Sequence, residues 1–159
     1  MPHTHLFFFT GENTFMLTEE VQRWKHAFIQ KHGEANLEIV AGKKSTEKEL
    51  SAYVASSPFL GEKRLLVLEG CPSLHKDSWE NICKQMHPAT LVAVIDASPD
   101  KRTSGVKFLM KEADVRTFPP LTTAQLQTWV QALAAKENMR LSPAIARFFI
   151  SVVGEDQWR

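Results

Sequence analysis

The chain has 159 residues, 43% hydrophobic and 23% charged, the balance of a globular protein that can bury one sizeable core, or one core plus a small appended unit. Nineteen basic and 18 acidic side chains leave a net charge of +1, too small for the one-signed field of a dedicated nucleic-acid or membrane surface. Cys71 and Cys83 match no zinc spacing, so free thiols in a reducing, cytoplasmic setting are expected, with no metal and no cofactor. The start of the chain lacks the basic segment and cleavage site of a signal peptide, and the run Leu6–Phe9 is far too short to span a bilayer.

In chain order, His5–Thr10 is a short apolar run ended by Gly11, as in a buried strand. Thr14 is the expected cap of a helix in which Phe15, Val21, Trp24, Phe28 and Ile29 recur at near-helical spacing, and Gly33 stops it. Asn36–Ala41 reads as a second strand and Gly42-Lys43-Lys44 as a turn. Ser45 or Thr46 then caps a helix through Ala55, whose acidic first turn (Glu47, Glu49) suits the helix dipole. After the loop Ser56–Glu62 comes Arg64–Glu69, a continuous apolar strand with both faces covered. A helix over 75–86, a strand over Thr90–Asp96, a basic helix over about 102–112 and a strand over Val115–Phe118 complete the pattern.

Strands alternating with helices at this spacing predict a three-layer α/β domain with a parallel sheet and right-handed crossovers. At Pro119-Pro120 the pattern changes, because consecutive prolines cannot continue a strand ladder. Beyond them two helices are expected, one from Thr122 or Thr123 to Lys136 and one opened by Ser142-Pro143. The expected organisation is an α/β domain over 1–118 and a small helical lid over 119–159, the lid cut short because the chain stops directly after an apolar helical pattern.

That outline belongs to nucleotide-driven motors, which need a phosphate loop, G-x-x-x-x-G-K-[ST]. After the first strand the chain reads Gly11-Glu12-Asn13-Thr14-Phe15-Met16, with one glycine, no lysine and an acidic residue where phosphate would sit. Gly42-Lys43-Lys44-Ser45 lacks the upstream glycine and follows the wrong strand, so it reads as a solvated basic turn. Asp96 ends an apolar strand without an acidic neighbour and reads as a strand-terminal cap.

The loop Ser56–Arg64 stands out because Phe59 and Leu60 sit between Pro58, a rigid residue, and Gly61, a permissive one. From the residues alone two readings remain open. The pair folds back onto the core, or it is an exposed anchor that enters a pocket on a partner.

Four segments together resemble the delta subunit of the bacterial DNA polymerase III clamp loader. They are Phe9–Phe15, Pro58–Leu65, Asp100-Lys101-Arg102, and Phe118-Pro119-Pro120-Leu121 with its continuation Gln125–Val130. The resemblance implies an AAA+-like domain that has lost ATP binding, a non-catalytic subunit that grips the sliding clamp (the beta subunit) and helps open its ring. It implies that Phe59 and Leu60 are the clamp-binding pair, in reverse of the family's usual Leu-Phe order, with Ser57 and Pro58 positioning them. It further implies a third helical domain, missing here, that joins the other clamp-loader subunits. Lys101, Arg102, Lys107 and Lys111 are candidate contacts to primer–template DNA, against the simpler reading of a solvated helix face. The alternatives are a divergent P-loop NTPase using Gly11 or Gly42, and a DNA-binding domain.

Overall fold

The computed structural model describes residues 5–59, 61–154 and 157. Five strands, β1 (Leu6–Thr10), β2 (Leu37–Ala41), β3 (Arg64–Glu69), β4 (Thr90–Ile95) and β5 (Asp114–Thr117), form one sheet in the order β2-β3-β4-β1-β5. Every pairing is parallel, with β3 central enough to match β2 from Leu37↔Leu65 and β4 from Arg64↔Thr90. The helices of this part are α1 (Thr14–His32), α2 (Glu47–Ala55), α3 (Lys76–Gln85) and α4 (Ser104–Glu112).

The strands are apolar on both faces because both faces are covered. On one face Phe9, Leu65, Val67 and Ala93 pack with Leu17, Val21 and Phe28 of α1. On the other, Leu6, Phe8, Leu66, Leu68, Val92 and Val94 meet Leu50 and Val54 of α2, Trp79 and Ile82 of α3, and Leu109 of α4. Alternate residues of one strand therefore feed two cores, giving the three layers that the apolar runs require.

Several boundaries shift by a residue or two (β1 starts at Leu6 rather than His5, β4 ends at Ile95 rather than Asp96, β5 is Asp114–Thr117 rather than Val115–Phe118, α3 is Lys76–Gln85, and α4 starts at Ser104), and two further differences bear on the loops. The cap of α1 is Asn13, whose side chain accepts from the Met16 amide at 3.0 Å, while Thr14 is the first helical residue. Asn is as good an N-cap as any residue and stands one position earlier. Asn36 is not in the second strand; it ends a 3-10 turn over Glu34–Asn36, with its side chain turned to other work. Three helix starts follow the caps that the sequence offers: Thr46 and Thr122 each form a reciprocal capping box, and Ser142 caps ahead of Pro143.

The chain forms two compact units, Met1–Phe118 and Pro119–Arg159. The second contains α5 (Thr123–Lys136) and α6 (Pro143–Val153), joined through Leu126, Val130, Ala146 and Ile150. The Gln131 side chain ties the pair by donating to the Leu141 carbonyl at 2.9 Å. Among the described residues no helix is long and apolar enough to cross a membrane.

Candidate functional site

The loop between α2 and β3 lies at the amino-terminal end of the parallel sheet, and its backbone is fixed from both sides. At its start, Ser56 donates its hydroxyl to the Ala52 carbonyl at 2.9 Å, a back-bond that ends α2. At its end, the Arg64 amide donates to the Ala89 carbonyl at 3.0 Å, and the Arg64 guanidinium pairs with Glu38 on β2. Between these points the Phe59 amide donates to Asn36 Oδ1 at 2.7 Å. Asn36 is only 3% exposed, and its Nδ2 donates to the His32 carbonyl at 2.8 Å.

The side chains of this loop are disposed unevenly. Ser57 is exposed and Pro58 half-buried. Phe59 is 66% exposed, although its own amide is bonded to a buried group. Leu60, the other half of the apolar pair, lies outside the described residues. The Phe59 backbone is thus fixed by a buried group while its phenyl ring stands in water.

Exposure alone does not single out this loop. On α6, Ile145, Phe148, Phe149 and Val152 form an exposed stripe at helical spacing, with Phe148 at 71%. What distinguishes Phe59 is the network that holds it. Sequence reasoning passed over Asn36, the centre of that network. The available signal was a lone amide side chain between a helix-ending glycine and an apolar strand.

The carboxyl-terminal end of the sheet, where open α/β folds hold ligands, is organised differently. The Gly11 amide donates to the Ala97 carbonyl at 3.2 Å and the Asn13 amide to the Phe118 carbonyl at 3.0 Å. These are donors that a phosphate loop would offer to a ligand. Gly11, at φ +138°, is required here because a Cβ would stand 2.2 Å from the Phe118 carbonyl oxygen. Gly42 likewise lies against the Gly70 carbonyl, and Lys43 and Lys44 are exposed.

Asp96 spends both carboxylate oxygens on backbone amides: Oδ2 accepts from Cys71 at 2.9 Å and Oδ1 from Ser98 at 3.1 Å. The cleft beside it, about 610 Å³, is lined by Lys43, Cys71, His75, Asp96, Asp100 and Ser104, among others. Burial, and then the Asp96 charge, pushes the Cys71 thiol up to about 12, so it remains a protonated thiol rather than a nucleophile. Among the described residues no cluster of three His, Cys, Asp or Glu could hold a metal.

Of the basic candidates, Lys101 and Arg102 occupy the exposed turn before α4, and Lys107 and Lys111 its exposed side. Arg102 grips Asp100 with Nε–Oδ1 at 2.9 Å and Nη2–Oδ2 at 3.0 Å, and Lys111 lies 3.2 Å from Glu112.

No protein-family model matches the chain, and no curated protein matches it in sequence. Its fold has clear solved neighbours. It is similar to the Bacillus subtilis DNA clamp loader delta protein (YqeN), with a TM-score of 0.71 and 18% identity over 99% of this chain and 50% of that one. The chain thus spans half the length of that delta protein. It is also similar to a chain in the structure of the E. coli MS115-1 HORMA:CdnC:Trip13 complex, with a TM-score of 0.57 and 12% identity over 94% of this chain and 60% of that one.

Proposed function

We propose that this chain acts as the clamp-gripping part of a clamp-loader delta subunit in DNA replication. It binds the ring-shaped sliding clamp through Phe59 and Leu60, with Ser57 and Pro58 shaping the loop, and it hydrolyses no ATP itself. Residues 1–118 are then the AAA+-like clamp-binding domain and 119–159 its helical lid, in a cytoplasmic protein whose contacts to other loader subunits lie in a further domain. The fold likeness to a delta protein over 99% of the chain supports this reading. The observation that carries it is Phe59, held by its amide on a buried side chain and yet 66% exposed.

The mechanism is mechanical. Moving Phe59 and Leu60 into an apolar pocket would contribute roughly 1.5–3 kcal/mol each. A ring interface opens when a ligand prefers the open or strained ring over the closed one, by no more than its differential affinity for the two. The anchor provides the grip, and the surface around it provides the preference. Donors at the carboxyl end of the sheet that already bond within the chain, Gly11 and Asn13, support a subunit that relies on ATP turnover elsewhere in the loader.

Calorimetric titration of the cognate clamp with this chain tests the reading. Phe59→Ala combined with Leu60→Ala is expected to remove measurable binding, since each anchor is worth about 2 kcal/mol or more on truncation. The melting temperature should hardly move, because Phe59 contributes little to the core. Undiminished affinity would refute the assignment.

A further inference from the structure

Asn36 is a neutral amide buried at the junction of α1 and β2. Such a group is costly to bury unless both its ends are bonded, and here both are. Nδ2 is bonded to the His32 carbonyl at the end of α1, and Oδ1 to the amide of Phe59, 23 residues further along the chain. The first bond orients the carboxamide; the second fixes the backbone of the very residue that carries the exposed ring. Gly61 closes the arrangement, because a Cβ there would stand 2.4 Å from Asn36 Nδ2. Glycine is what lets the loop lie this near the amide.

We propose that Asn36 is a positioning residue for the clamp contact, holding the loop in its binding-competent shape before the partner arrives. This rests on the reading of the loop as the clamp-binding element. A loop released from Asn36 would bind only from its competent fraction, so the loss falls on association. Once docked, the ring makes the same contacts and leaves at nearly the same rate. Removing the ring itself does the opposite and speeds dissociation, where most interface truncations act. The two defects are kinetically distinct.

The experiment measures association and dissociation rates of the chain on immobilised cognate clamp, together with hydrogen exchange at the Phe59 amide. Asn36→Ala should slow association about tenfold if the competent fraction falls to about a tenth, with little change in dissociation. Its Phe59 amide should lose protection. Gly61→Ala, which disturbs the same contact from the loop side, should give the same pattern and carries the test alone if Asn36→Ala does not fold. Phe59→Ala should raise the dissociation rate instead. If Phe59→Ala weakens binding while the folded Asn36 and Gly61 variants associate normally, the positioning role is overturned and the loop reading stands. If Phe59→Ala binds as tightly as the unsubstituted chain, both are overturned.

Discussion

At the carboxyl ends of the strands, amides and carboxylates face one another; at the amino ends, one loop leaves a large aromatic side chain in water. Gly11 bonds to Ala97, Asn13 to Phe118, and Asp96 to both Cys71 and Ser98, so the first region is satisfied from within the chain. The second is satisfied only as far as the backbone, where Asn36 takes the Phe59 amide and the ring beyond it has no comparable cover. Open α/β sheets hold their ligands at the carboxyl end, so a function assigned from fold outline would look at the self-satisfied region. The difference teaches that a candidate site is sought among the groups left unmet, and in this domain the Phe59 ring, apolar and at the other end, is one of them.

The sharpest way to break this comparison is the double truncation of Phe59 and Leu60, which should remove about 4 kcal/mol of binding if the two anchors add. Next comes Gly11→Ala. A side chain at φ +138° with its Cβ 2.2 Å from a backbone oxygen must displace the Phe118 segment. A loss of roughly 3 kcal/mol of stability is expected in urea unfolding, with clamp association unaffected in the folded fraction. Were Gly11→Ala tolerated at no cost, the carboxyl end would have room that the description above denies it. Asp96→Ala is milder. It strands the Cys71 and Ser98 amides, one of them at a partly buried site, and should cost about 1–2 kcal/mol by the same measurement.

Much of this was readable in the residues, for reasons that are local. Runs such as Leu65-Leu66-Val67-Leu68 and Leu91–Ile95 are strands apolar on both faces, which only a sheet covered on both sides accommodates. Thr46, Thr122 and Ser142 announce their helices because a cap acts within three residues of itself. Asn13 displaced the expected Thr14 because two good caps stood side by side and the backbone decided between them. The partner of Asn36 was not readable. The role of Asn36 is set by a loop 23 residues away, and an isolated amide beside an apolar run carries no mark of the partner it will meet. From the residues alone Phe59 could be singled out but not placed, since Pro58 and Gly61 are compatible with folding inward or outward; the family resemblance marked it as a clamp-binding residue, and the structure shows its ring exposed.

The smallest effect concerns the basic residues of α4 and the turn before it. If Lys101, Arg102, Lys107 and Lys111 all reached phosphates, the logarithm of DNA affinity would fall with the logarithm of salt concentration at a slope of about −3.6. Arg102 is already engaged by Asp100, whose carboxyl its hydrogen bonds hold down at about 2, so that pair persists across the ordinary pH range. Lys111 also has a carboxylate neighbour in Glu112. That leaves Lys101 and Lys107 to displace counterions, and a slope no steeper than about −2 is expected. Fluorescence anisotropy of a labelled primer–template duplex across a salt series measures it. A slope near the four-contact value would mean that Arg102 and Lys111 exchange their carboxylates for phosphate, and would make the exposed side of α4 a binding surface in its own right.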